Sequence, residues 1–128
     1  MKVEVSNGEL LDKLSILELK LKNINDNKKL INIKNEHRGL SPLCNSLFDN
    51  YGNELRSLYV KLCEINAELW KIEDDIRECE RNKEFGDEFV RLARAVYFTN
   101  DKRSDVKKSI NLLTESGFVE EKSYEDYK

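Results

Sequence analysis

The sequence predicts an all-α protein, an elongated antiparallel helical bundle with one long heptad-patterned helix and two shorter C-terminal helices. Leu55, Leu58, Leu62, Ile65, Leu69, Ile72, Ile76 and Cys79 recur at alternating steps of three and four, which is one apolar stripe on a helix. A single proline and five glycines in 128 residues leave too few turn formers for an all-β domain. Charged side chains make up 37% of the chain, the coating that long solvated helix faces need. The length suits one helical domain over residues 1–117, followed by a charged, tyrosine-bearing tail over residues 118–128.

The first helix is predicted over residues 7–24. Ser6 is a good N-cap and Glu9, three residues on, completes the capping-box spacing; Val3 and Val5 staple the entry. Leu10, Leu14, Leu17, Leu21 and Ile24 form its seam, while Leu11, Ile16 and Leu19 put apolar surface on other faces. A helix apolar on several sides sits between neighbours, so this one is central. Asp26 caps a short second helix through Leu30 and Ile33 that ends at Gly39. Ser41-Pro42 then reverses the chain.

The long third helix starts at Pro42 or, where Asp49-Asn50-Tyr51-Gly52 makes a turn, near Asn53. Taken to Lys83 it measures roughly 45–63 Å at about 1.5 Å per residue. It runs antiparallel to the first two helices. Phe85-Gly86-Asp87 breaks it, and Asp87 caps a fourth helix with Phe89, Leu92, Ala93, Val96 and Tyr97 on its buried face. Thr99-Asn100-Asp101 is a cap-rich boundary before a fifth helix over residues 102–115, through Val106, Ile110 and Leu113. The long seam overhangs its short neighbours, and a symmetric homodimer is the expected cover for the exposed part, the alternative being that helices four and five cover it within one chain.

A net charge of −3 carries none of the basic excess that nucleic-acid or membrane partners select, so neither is expected. The N-terminus has no apolar signal region and no stretch approaches a membrane span. Cys44, Cys63 and Cys79 are an odd set without C-x-x-C spacing; they read as reduced thiols of a cytoplasmic protein. Glu64, Glu68 and the run Glu73–Asp75 make one carboxylate-rich helix, but the first helix answers only with Glu9, Asp12 and Glu18. A Mg²⁺ site needs paired carboxylates on facing helices, so no metal and no cofactor are expected. His37, the sole histidine, sits where an imidazole caps carbonyls, and Trp70 reads as a core or interface anchor.

Four stretches carry a resemblance: Val5 to Glu18, Leu69 to Arg77, Leu92 to Asp101, and Glu120 to Tyr124. Together they resemble the signature segments of a family of small bacterial proteins catalogued only as a domain of unknown function. The resemblance implies no activity or cofactor; it directs attention to the polar residues inside or beside those segments. These are Asp12, Lys13, Glu73, Asp74, Arg77, Arg94, Tyr97, Asn100, Asp101, Arg103, Lys122 and Tyr124.

Arg94 and Tyr97 lie one turn apart, and Asn100 with Asp101 opens the next predicted helix. A guanidinium, a phenol and a helix-start N–H array can then converge on an anion, with Arg103 and Lys122 adding charge. The plainer reading makes Asn100 or Asp101 a cap and pairs Arg94 with the Glu73–Asp75 run. Function is accordingly expected to be that of a non-enzymatic interaction or scaffold module that self-associates and binds another protein. The alternative is a helical ligand-binding protein or enzyme acting on a phosphorylated or carboxylated small molecule.

Overall fold

The computed structural model describes residues 1–115, and every regular element in them is helical: α1 (Asn7–Asn23), α2 (Asn27–Arg81) and α3 (Asp87–Leu113). Lys122 and Tyr124, and the tail as a whole, lie outside the described residues. Ser6 caps α1 as expected, its Oγ accepting from the Glu9 N–H at 3.1 Å. Asp26 caps α2 in the same way through Lys29 N–H. Val3 and Val5 do not staple the entry, since both are exposed.

α2 is two limbs. Gly52 has φ +62° and ψ −140°, outside helical space, and the chain turns back there. Phe48 and Tyr59 would stand about 16 Å apart along a straight helix, yet their ring centroids lie at 5.3 Å. Arg56 likewise lies over the Phe48 ring, 5.0 Å from its centroid. The reversal expected at Ser41-Pro42 therefore occurs ten residues later, and the long helix starts at residue 53. Gly39 keeps helical backbone, and Pro42 lies within the first limb. Beside the proline, Ser41 Oγ donates to the His37 carbonyl at 2.7 Å. The stripe Leu30, Ile33, His37, Leu40, Cys44 and Leu47 continues unbroken through both residues, all of them buried or half-buried. Packing of that stripe outweighs the roughly 1 kcal/mol that a glycine and the roughly 3 kcal/mol that a proline cost inside a helix.

α3 is also continuous where a boundary was expected. Thr99 is buried on the same seam as Leu92, Val96, Val106 and Ile110, and Asn100 spends its carbonyl on Arg103 instead of capping. Asp87 is the first residue of α3, not its cap; Gly86 holds the cap position without a side-chain bond.

The four helical segments run alternately up and down. α1 is antiparallel to the first limb and to α3, and parallel to the second limb, where Asn66 faces Ser15 and Trp70 shares a cleft with Leu19. The expectation that the long helix opposes both earlier helices is corrected accordingly. Leu11, Leu14, Cys44, Phe48, Leu55, Leu62 and Ile110 form the main core. Ile72, Cys79 and Leu92 form a second cluster with Phe89 and Val96 packed against it. This second cluster covers the end of the long seam from within the chain, so no overhang is left bare among the described residues. No helix among them is long and apolar enough to cross a membrane.

Candidate functional site

Where α1, the second limb and α3 meet, a polar network replaces the hydrophobic core. Asp12 is 1% exposed, and its carboxylate is gripped by Arg103, with Nε donating to Oδ1 at 2.9 Å and a terminal nitrogen donating to Oδ2. Asn66 Nδ2 donates to the same Oδ1 at 3.0 Å and to Ser15 Oγ at 2.7 Å. Ser15 Oγ in turn donates a hydrogen bond to the Asp12 backbone carbonyl, also at 2.7 Å. A fork-shaped guanidinium matches a carboxylate in two places, and buried charge is tolerated only when so paired. The four side chains reach one point because Asp12 and Ser15 lie one turn apart on α1, and Arg103 falls on the inward seam of α3.

The α1–α3 contact is tight at its other end. Gly8 N–H donates to Asn111 Oδ1 at 2.7 Å, and a Cβ on Gly8 would stand 2.5 Å from the Lys107 carbonyl oxygen. Lys107 also bonds Glu9 across the seam at 2.7 Å, so that carboxylate serves as an interhelical partner.

Beside the network lies a cleft of about 340 Å³, lined by Ile16, Leu19, Asn66, Leu69, Trp70, Glu73, Asp74, Arg77, Asn100 and Arg103. Five of the residues singled out in the sequence, Glu73, Asp74, Arg77, Asn100 and Arg103, meet here, with Asp12 directly behind the wall. Arg94 and Tyr97 are not with them. Six positions on an unbroken helix turn Arg94 well away from Asn100, and it lines a separate hollow with Val90, Phe98 and Lys102. There its Nε approaches Tyr97 Oη at 3.4 Å and its guanidinium lies over Phe98. The pairing of Arg94 with the acidic run is replaced by Arg77 facing Glu73 at 3.3 Å and Lys71 bonding Asp75 at 3.2 Å. Asp101 is buried and lies in the interior of α3, not at a helix start; Lys13 is exposed.

Asn66 and Ser15 escaped the sequence reading. Each is a polar residue interrupting an apolar face, a signal that separates core networks from solvated positions only once both helices are seen together. Elsewhere in the core, burial, with the Glu18 charge adding to it, pushes the Cys44 thiol up to about 11. Burial likewise raises the Tyr59 phenol and the Cys63 thiol. All three cysteines are free thiols. No group of three or more His, Cys, Asp or Glu side chains among the described residues is placed to hold a metal ion.

No curated protein and no solved structure matches the chain. Residues 1–127 match the family described as a family of unknown function (DUF6165), and the chain belongs to that family.

Proposed function

We propose that the protein is a non-enzymatic binding module that takes a small polar molecule in the cleft beside Trp70. The observation that carries this reading is the convergence of Glu73, Asp74, Arg77, Asn100 and Arg103 on one concavity with Leu19 and Leu69 beneath them. A few fixed polar groups over an apolar floor are what small-molecule recognition requires. The Asp12–Asn66–Arg103 network supports it a second way, by fixing the Arg103 side chain before any ligand arrives. The groups whose proton affinity burial moves furthest, Cys44 and Tyr59, lie in the core and are held neutral, which supports binding over catalysis. Free buried thiols also suit a cytoplasmic setting.

The test is a thermal-shift screen of small polar compounds of every charge class, on the wild type and on Asn100→Ala. A saturable rise in midpoint that the variant loses supports the reading, because a ligand of the native state must raise stability. A flat response across all classes overturns it.

A second reading, self-association, is favoured by Phe85 and Val90, which are 51% and 52% exposed beside the 82–86 turn, and by Tyr97, 44% exposed further along α3. Apolar surface of that kind is where a second copy or another protein docks. Sedimentation of the wild type beside Val90→Glu tests it; a monomer in both removes it.

A further inference from the structure

Resting on the cleft reading, we infer that the bound molecule is a small alkylammonium ion, its cationic head seated between the Trp70 indole and the Asp74 carboxylate. Trp70 and Asp74 lie one helical turn apart on the second limb. Both line the cleft toward Asn100 and Arg103, and both line an adjoining hollow with Asn23, Ala67 and Lys71.

The charges around them select the sign of the ligand. Arg103 is held by the buried Asp12, Arg77 faces Glu73, and Lys71 is bonded to Asp75. Every cation on these walls thus has its own carboxylate. Asp74 is a lining carboxylate with no ion pair or hydrogen bond among the described residues, so the cleft carries a surplus negative charge. An anion would have to displace Glu73 or compete with Asp12 for its guanidinium. An ammonium meets Asp74 with nothing to displace. The indole is the strongest aromatic partner for such a cation, and Ile16, Leu19 and Leu69 offer an apolar floor for its alkyl stem. A volume of about 340 Å³ suits a free small amine.

Trp70 is the only tryptophan in the chain, so its fluorescence reports on this site alone. The probes are butylammonium, butanol and butyrate, matched in shape and differing in charge, at constant ionic strength. Butylammonium is expected to give a saturable change, with the other two at least about tenfold weaker, and Asp74→Asn to weaken it about tenfold while leaving butanol unchanged. Asp74 is exposed, so the variant folds. Butanol or butyrate binding as tightly as butylammonium, no response to butylammonium, or an unaltered Asp74→Asn overturns the ammonium assignment. Hits among neutral or anionic compounds in the thermal screen would then leave the cleft reading standing, and their absence would remove it as well.

Discussion

Arg103 reaches across the α1–α3 seam and closes on Asp12 with two nitrogens, on a carboxylate from which water is excluded. Removing the arginine strands the buried carboxylate in low dielectric, whereas the guanidinium is part-exposed. Arg103→Ala is expected to lose about 3–5 kcal/mol in urea unfolding. The double variant Asp12→Leu, Arg103→Met should recover most of that, because the desolvation penalty disappears with the pair. A loss in Arg103→Ala below about 1 kcal/mol would contradict the burial that holds the site together.

At Gly8, α1 and α3 pack backbone against backbone. Gly8→Ala sets a methyl against backbone at Lys107, which cannot swing aside, so thermal unfolding should show a loss of about 1–3 kcal/mol. Gly39→Ala is the control. With open space around it on a helical limb, it should gain about 0.5–1 kcal/mol.

Gly52 makes the hairpin of α2. Nothing crowds the position, so the requirement is one of backbone alone. Gly52→Ala at φ +62° should destabilise by about 1–3 kcal/mol in denaturant unfolding. An unchanged midpoint would mean that residues 27–81 do not turn there.

Alkaline pH should unfold the protein earlier than its charge would suggest. Cys44 stays protonated in the native state up to about 11, whereas an unfolded thiol loses its proton near 8.5. Between those values the unfolded chain binds fewer protons, so the stability contributed by the protonated thiol is complete below the lower value and falls as pH rises. The loss is of the order of 2–3 kcal/mol, and Tyr59 acts in the same direction. Stability measured from pH 8 to 11 should fall more steeply in the wild type than in Cys44→Ala.

The helical class, the Ser6 cap, the central place of residues 7–24 and the seam from Leu55 to Cys79 were legible because each rests on local spacing. The two expected breaks, Gly39 to Pro42 and Thr99 to Asp101, are local stops overridden by stripes that pack along their whole length. The same error grouped Arg94 and Tyr97 with Asn100 and Arg103. A boundary at Asn100 would let them converge, whereas a continuous α3 turns Arg94 to the face opposite Arg103 and leaves Tyr97 exposed. Glu73, Asp74 and Arg77 were legible as a polar run on the long helix. Their convergence with Asn100 and Arg103 was not, since it depends on α3 returning alongside the second limb. Asn66 and Ser15 could not be told from solvated polar residues without their partners.

The cleft beside Trp70 as the recognition surface is tested most directly by the indole N–H resonance of this single tryptophan in a two-dimensional NMR titration with small-molecule hits. The account predicts that this resonance moves and saturates together with the backbone signals of Asn66, Asp74 and Asn100. Saturable shifts confined to the Arg94–Phe98 hollow or to the Phe85–Val90 end, with the indole unmoved, would contradict it.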